Sequence, residues 1–196
     1  MNVPNRITVC RIILSVLLLI LLIFPLDKVG ISFPEIMVNE NFIIDSKYLI
    51  CGLVFMIASL TDFLDGHLAR KYNMVTDLGK VMDAIADKIL VNGVLIVLAY
   101  EGYISVIIPV IIVSRDIIVD SIKMVAGQKN GAVGASKAGK AKTMCMMIGV
   151  TLLFFYDLPL SLFNIYPARV LIFIATILSI LSGIQYYEKN KKFLGK

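Results

Sequence analysis

The chain has 196 residues, of which 59% are hydrophobic and 17% are charged, and its net charge is +5. This composition is too apolar for an ordinary soluble domain and predicts a protein that crosses the membrane several times. The basic residues fall between long apolar runs and form no separate basic domain, which argues against a nucleic-acid-binding protein. The three cysteines, Cys10, Cys51 and Cys145, have no CxxC spacing, so neither a disulfide framework nor a zinc site is predicted.

Six apolar runs approach the ~20 residues that an α-helix needs to cross the hydrocarbon core. They predict an all-α integral membrane fold with six transmembrane helices and a polar cavity at the cytoplasmic interface, all in one domain over residues 1–196. The first run follows Arg6 and Arg11 as in a signal peptide, but no small-x-small cleavage site follows it, so it is predicted to stay as a helix. The fifth run is short, and its helix is expected to begin nearer Ser136. The predicted helices are 8–24, 43–62, 84–100, 103–122, 143–155 and 168–187.

The distribution of lysine and arginine predicts the orientation of these helices, because cytoplasmic loops carry an excess of both residues. With the N-terminus inside, all but three of the 19 basic residues lie on or toward the cytoplasmic side. The exceptions are Lys28, Lys47 and Arg169. An even number of crossings then brings both termini to the cytoplasm. The segment 25–47 is predicted to be an external loop.

Two short clusters of aspartates stand out in this apolar sequence, Asp62 with Asp65 and Asp83 with Asp87. The first two are three residues apart and the second two are four apart, so on helices each pair projects from one face and the pairs could converge. A charged carboxylate is costly in an apolar environment unless a cation or water molecules contact it. Oxygen ligands suit Mg²⁺ or Mn²⁺, and two such ions roughly 4 Å apart commonly split phosphate esters or anhydrides.

Small residues on the same stretch favour a ligand site beside the metals. Gly66 and Ala69 follow Asp62 by four and seven positions, so the helix face with the carboxylates lacks bulk. Arg70 offers a planar fork for phosphate oxygens. Two structural alternatives use the same residues, namely helix packing through small side chains and aspartates that cap helix ends at the membrane surface.

The spacing Asp-x2-Asp-Gly-x2-Ala-Arg-x8-Gly-x3-Asp-x3-Asp is the signature of the CDP-alcohol phosphotransferase family, which this chain resembles. The matching residues are Asp62, Asp65, Gly66, Ala69, Arg70, Gly79, Asp83 and Asp87. The resemblance implies an integral membrane enzyme that moves a phosphatidyl or similar group from a CDP-linked lipid to an alcohol and releases CMP. It also suggests a homodimer.

The same resemblance implies a role for each matched residue. The four aspartates would bind two Mg²⁺ or Mn²⁺ ions that grip the pyrophosphate, and Asp87 would double as the general base. Gly66 would let the nucleotide approach the backbone beside Ala69, and Arg70 and Thr76 would contact its phosphates or cytidine.

The first residues of the chain provide two further candidates. The pattern Asn-x-Pro-Asn-x-x-Thr-x-x-Arg, which begins at Asn2, resembles the opening of the glycerol-3-phosphate-using branch of the family, where this segment lies beside the nucleotide site. Asn5 and Thr8 are therefore candidate contacts of the CDP group. The structural alternative is that one of them caps the first helix.

A basic group downstream is a candidate site for the acceptor. Arg115 is predicted to lie about two turns inside the cytoplasmic end of an apolar helix, a costly position that makes an ionisable residue functional by default. Together with Lys140, Lys142 and Thr143 it would form a pocket for a dianionic phosphate. The alternatives are an ion pair of Arg115 with Asp116 or Asp120, snorkelling toward the headgroups, and the ordinary excess of cytoplasmic lysines.

Arg-Asp followed by Gly-Lys-x-Lys-Thr also resembles the acceptor-binding segments of the branch that uses glycerol 3-phosphate. The resemblance thus implies transfer from CDP-diacylglycerol to sn-glycerol 3-phosphate at the cytoplasmic face of the cell membrane, giving phosphatidylglycerophosphate and CMP. Alternative acceptors in the family are serine, inositol phosphate and a second phosphatidylglycerol, as in cardiolipin synthesis. Outside the family, an aspartate-rich membrane prenyltransferase would also use Mg²⁺ but lacks the glycine, alanine and arginine positions seen here. A Mg²⁺ channel or carrier would need acidic residues along a path through the bilayer, whereas the aspartate clusters here are predicted to lie at one interface.

Overall fold

The computed structural model describes residues 3–30, 33–39, 42–72, 76–128 and 137–194, and six long α-helices account for most of these ranges. The prediction of a mainly helical chain with six helices is confirmed. The helices are α1 (Val3–Ile23), α2 (Ser46–Lys71), α3 (Asp77–Tyr100), α4 (Ile107–Gln128), α5 (Lys137–Phe154) and α6 (Pro167–Leu194).

Several predicted helix boundaries are wrong at the end of the molecule that carries the aspartates. The second helix does not end at Asp62 but continues to Lys71, and the third begins at Asp77, well before the predicted start at residue 84. The fifth begins at Lys137, next to the position expected for it. Hydropathy locates only the part of a helix that matches the hydrocarbon core. The helices continue beyond it through polar residues and glycines such as Asp65, Gly66 and Gly79, which neither hydropathy nor helix propensity favours.

The segment predicted as an external loop contains regular structure. A 3-10 helix covers Leu26–Val29, and an antiparallel hairpin follows, with β1 (Glu35–Asn39) paired to β2 (Phe42–Asp45). Residue 43, predicted to open the second helix, therefore lies in a strand. A short run of apolar and β-branched residues fits a strand as well as a helix, and periodicity alone does not separate the two.

The helices pack as two linked groups. α1 packs against α2 and α3, α6 packs against α4 and α5, and contacts of α2 with α5 and of α3 with α4 join the groups. The α5–α6 contact is close at Gly149, where a Cβ would lie 2.9 Å from Cγ1 of Ile172 and 3.2 Å from the carbonyl oxygen of Ala168. Glycine at this position lets the two backbones approach each other.

The interior is mainly apolar, but the surface of the helices is apolar as well, which is unusual for a soluble protein. Apolar side chains are exposed on all six helices, while several polar groups are buried between helices. The exposed set includes Leu17, Leu53, Ile96, Ile118, Ile148 and Phe173, and the buried set includes Ser15, Thr176, Ser179 and Ser182. By length and composition, two of the predicted crossings are identified among the described residues, Asn5–Ile23 and Pro167–Lys191.

Candidate active site

The two aspartate clusters meet around one arginine. Arg11 of α1 is 2% exposed, and its Nη1 donates to Oδ1 of Asp62 in α2 and, over 3.0 Å, to Oδ1 of Asp83 in α3. Because both carboxylates contact the same nitrogen, their oxygens lie within roughly 6 Å of each other. The predicted convergence of the two clusters is therefore confirmed for Asp62 and Asp83.

Asp87 lies one turn beyond Asp83 on α3 and is half-buried. Its carboxyl is within electrostatic range of Asp83 and Arg11, and also of Lys142 and Asp116. The residue predicted as general base is thus close both to the aspartate cluster and to part of the predicted acceptor pocket.

Four signature residues lie in the last turns of α2, which is continuous through them. They are Asp65, Gly66, Ala69 and Arg70. The surroundings of residues 63–71 lie outside what the structure describes, so the predictions for Asp65, Gly66, Ala69 and Arg70 stay predictions.

The described carboxylates fit a divalent cation in their chemistry. Carboxylate oxygens are ligands that Mg²⁺ and Mn²⁺ prefer, and Asp62 and Asp83 direct theirs at one cationic nitrogen. Among the side chains that the structure describes, no group of three or more His, Cys, Asp or Glu residues is close enough to hold a metal ion.

Two residues predicted to contact the nucleotide meet at the start of α3. Nδ2 of Asn5 donates to Oγ1 of Thr76 over 3.2 Å, and this oxygen accepts the backbone N–H of Gly79 over 3.0 Å, which caps the helix. A Cβ at Gly79 would lie 2.6 Å from Oδ1 of Asn5 and 2.9 Å from Oγ1 of Thr76. The signature glycine therefore lets the beginning of α1 approach the cap of α3. Thr8, the other candidate, is buried in the same part of α1.

Asp116 of α4 joins two of the predicted acceptor-binding residues. Its Oδ1 accepts hydrogen bonds from Nη1 of Arg115 and from Nζ of Lys142 in α5, each at 2.8 Å. Lys142 is 7% exposed. The ion pair of Arg115 with Asp116, the alternative considered from the sequence, is therefore present, and so is the approach of Arg115 to Lys142.

The remaining donors of Arg115 contact α6. Nε donates to the carbonyl oxygen of Ser179 over 3.1 Å, and Nη2 donates to Oγ of Ser182 over 2.5 Å. The guanidinium also lies 5.8 Å from the ring centroid of Tyr186. Arg115 therefore holds α4 against α6, in addition to any role at the acceptor.

The other two acceptor candidates are placed differently. Lys140 is exposed at the start of α5. Thr143 donates from Oγ1 to the carbonyl oxygen of Gly139, one turn earlier in its own helix, over 3.2 Å. The structure thus brings Arg115 and Lys142 together and leaves Lys140 at the surface.

The sequence predicts no catalytic or binding role for two residues of this site. Arg11 appears there only as a basic residue and as the last position of the N-terminal pattern, and Asp116 only as a possible partner of Arg115. Both lie near the polar ends of apolar helices, where a buried ionisable residue is costly unless it is paired. A charged residue in an apolar helix therefore indicates that an oppositely charged partner lies nearby. The sequence does not identify that partner for Arg11, because it depends on the packing of α1 against α2 and α3.

Comparison with known proteins places the chain among lipid-synthesising enzymes. A sequence model of the family described as CDP-alcohol phosphatidyltransferase matches residues 1–181. Several curated relatives bear the name CDP-diacylglycerol–glycerol-3-phosphate 3-phosphatidyltransferase. The one from Bacillus subtilis is 33% identical over 96% of this chain and 95% of its own length. That from Rickettsia bellii is 29% identical over 98% and 97%, and that from Mycoplasma genitalium is 33% identical over 76% and 63%.

Proposed function

The chain belongs to the CDP-alcohol phosphatidyltransferase family, and from this premise we propose that it transfers the phosphatidyl group of CDP-diacylglycerol to sn-glycerol 3-phosphate. The products are phosphatidylglycerophosphate and CMP, so the reaction belongs to phospholipid biosynthesis. One observation carries the proposal, namely that a relative named for this activity aligns with 96% of this chain and over 95% of its own length.

The proposed enzyme is a multi-pass protein of the cell membrane and works as a homodimer. All six helices cross the bilayer, and both termini and the aspartate cluster face the cytoplasm. The exposed apolar side chains on every helix support this arrangement, because they suit contact with lipid. The excess of basic residues at the aspartate end supports the orientation. A lipid substrate could then enter from the bilayer and a phosphorylated acceptor from the cytosol.

Asp62, Asp65, Asp83 and Asp87 are proposed to hold two Mg²⁺ or Mn²⁺ ions. When bound, these ions supply the positive charge that stabilises the pyrophosphate and the departing phosphate of CMP. The shared contact of Asp62 and Asp83 with one cationic nitrogen supports a cation between α2 and α3.

The carboxylate of Asp87 is proposed to accept the proton of the glycerol 1-hydroxyl. The deprotonated oxygen forms a bond to the lipid-bearing phosphorus while the bond from that phosphorus to the CMP oxygen breaks. The base must therefore lie where acceptor and pyrophosphate meet. The electrostatic proximity of Asp87 to both Asp83 and Lys142 supports this role.

The nucleotide is proposed to bind between the start of α1, the end of α2 and the cap of α3. Its contacts would come from Asn5, Thr8, Gly66, Ala69, Arg70 and Thr76. Two facts about described residues support the location. Asn5 contacts Thr76 directly, and Gly79 leaves the backbone at the start of α3 without a side chain.

The acceptor phosphate is proposed to bind beside Lys142. This ammonium is buried against Asp116 and stands within electrostatic range of the proposed base. Arg115 shares Asp116 and would hold the pair in position from α4. The exposed Lys140 would attract the dianion at the entrance, and Thr143 would add a hydroxyl donor.

A direct test measures CMP release by the purified protein in mixed micelles of CDP-diacylglycerol with Mg²⁺. The acceptor panel contains glycerol 3-phosphate, glycerol, serine, inositol phosphate and phosphatidylglycerol. The proposal expects rapid release only with glycerol 3-phosphate. A preference for serine or phosphatidylglycerol would be consistent with the family assignment but would refute glycerol 3-phosphate as the acceptor.

A further inference from the structure

The most buried charged side chain near the aspartates is that of Arg11. It lies in α1, a helix that is long and apolar enough by composition to cross a membrane, and its side chain is 1% exposed. A guanidinium removed from water in this way is costly unless carboxylates compensate its charge. Asp62 and Asp83 supply that compensation from two other helices.

The carboxylates gain from the contact as well. Without a cation, Asp62 and Asp83 would lie close together as like charges, and their repulsion would push α2 and α3 apart. One guanidinium nitrogen between them removes that repulsion and links α1, α2 and α3 at the same point.

We propose that Arg11 is a positioning residue, namely the internal counter-ion of the metal-free site. It holds Asp62 and Asp83 in their converged arrangement and yields their oxygens when divalent ions bind. This inference rests on the proposed function, because it takes Asp62 and Asp83 as metal ligands.

Competition follows from the shared atoms. The oxygens that Arg11 contacts are the oxygens offered to the metal, and a guanidinium and a divalent cation repel each other at such distances. Arg11 therefore weakens metal binding while it stabilises the metal-free fold. A residue that only packed the helices together would affect stability with and without metal equally and would leave metal affinity unchanged.

The test uses the full-length protein in detergent without lipid substrate. Binding of Mn²⁺ is titrated by electron paramagnetic resonance, and thermal unfolding is followed in EDTA and in saturating Mg²⁺. Arg11→Gln keeps a polar, hydrogen-bonding side chain but removes the charge. It should unfold at a lower temperature than the wild type in EDTA, and Mg²⁺ should raise its unfolding temperature by more. It should also bind Mn²⁺ about tenfold more tightly than the wild type, because the competing charge is gone.

Two variants serve as controls. Arg11→Lys keeps the charge and should return Mn²⁺ affinity toward that of the wild type. Lys123→Gln removes one positive charge from an exposed pair with Asp120 and should leave Mn²⁺ affinity unchanged. Unchanged or weaker Mn²⁺ binding in Arg11→Gln overturns the inference, as does an equal loss of stability with and without Mg²⁺.

If Arg11→Gln does not fold, the wild type and Arg11→Lys still decide the question. A lysine reaches the two carboxylates with a single nitrogen and fewer donors, so Arg11→Lys should bind Mn²⁺ modestly more tightly than the wild type, and an equal or lower affinity refutes competition. The outcome is separate from the acceptor assay. Failure of the wild type to use glycerol 3-phosphate refutes the proposed function and leaves the Mn²⁺ titration interpretable.

Discussion

The side-chain amide of Asn5 donates to Oγ1 of Thr76 over 3.2 Å, which joins the first turn of α1 to the cap of α3. These residues are 71 positions apart in the sequence. Gly79 makes the contact possible, because a side chain there would displace Asn5. The arrangement fixes two helix ends at the place proposed for the nucleotide.

Replacement of Gly79 by alanine should therefore impair binding of the CDP-lipid more than chemistry. The new Cβ would lie 2.6 Å from Oδ1 of Asn5, so the amide must leave Thr76. We expect KM for CDP-diacylglycerol to rise about tenfold, the effect of one or two lost hydrogen bonds, with a smaller change in kcat. Gly127→Ala is the matched control, because no atom lies within 4 Å of a Cβ there. An unchanged KM in Gly79→Ala would show that the contact of Asn5 with Thr76 is not part of the nucleotide site.

Metal removal is the second prediction and follows from the carboxylates of α2 and α3. Excess EDTA should abolish CMP release, and Mg²⁺ or Mn²⁺ should restore it. Ca²⁺ is larger and coordinates more loosely, so it should bind without supporting turnover. Initial rates in buffers of defined free metal concentration test this. Full activity in excess EDTA would contradict the metal-dependent mechanism.

The main helices could be predicted because each contains a long apolar run, and hydropathy detects such runs regardless of tertiary contacts. The hairpin could not, since residues 42–45 suit either a strand or a helix and only pairing with 35–39 decides between them. The extension of α2 to Lys71 also escaped hydropathy, because the added turns carry the polar residues of the site.

At the site, spacing predicted that Asp62 and Asp83 approach each other, because helical periodicity places each cluster on one face. Spacing could not show what lies between them. Arg11 reaches that point only through the packing of α1 on two helices that are distant in sequence. Likewise, the partition of the donors of Arg115 between Asp116 and α6 depends on the position of a helix 64 residues away.

Lys142 is the residue whose loss should most reduce acceptor use. Lys142→Ala removes a buried ammonium but leaves Asp116 paired with Arg115, so the helices should remain in place. A lost charge-assisted contact of ~1.5–3 kcal/mol predicts a roughly ten- to hundredfold fall in kcat/KM for glycerol 3-phosphate. The KM for CDP-diacylglycerol should hardly change. Lys123→Ala, an exposed lysine on α4, is the control and should retain normal kinetics. Normal acceptor kinetics in Lys142→Ala would place the phosphate elsewhere.

Orientation is tested with single cysteines in a chain whose own three cysteines are replaced by alanine. Met37 is 77% exposed in β1, and Gly127 is exposed near the end of α4. On intact cells a membrane-impermeant maleimide should label Met37→Cys, because the hairpin faces outward. It should label Gly127→Cys only after permeabilisation. The opposite pattern would put the aspartate cluster on the wrong side for a cytosolic acceptor.

The connection between α5 and α6 contains a buried carboxylate with no part in the proposed reaction. Asp157 is 3% exposed, and its Oδ1 accepts the backbone N–H of Ala168 in the first turn of α6 over 2.8 Å. Burial raises the pKa of Asp157, and the hydrogen bond from Ala168 and the nearby Arg169 oppose that rise only in part. The backbone at Asp157 is left-handed, with φ 56°, a conformation that asparagine also tolerates.

Asp157→Asn should therefore make stability less dependent on pH. Because the pKa is higher in the folded state, the native protein binds this proton more tightly than the unfolded chain does. The stabilisation by protonation is full below the unfolded value of about 3.9 and is lost as pH rises through the folded pKa. Asparagine keeps the acceptor oxygen without the charge. The thermal unfolding midpoint of Asp157→Asn should therefore rise relative to that of the wild type as pH increases from 4 to 8. Asp157→Ala instead leaves the buried N–H of Ala168 without this acceptor, at a cost of about 1–3 kcal/mol at every pH. Thermal unfolding in detergent across this range measures both effects, and a wild-type advantage that grows with pH would show that the carboxylate is stabilised in its charged form.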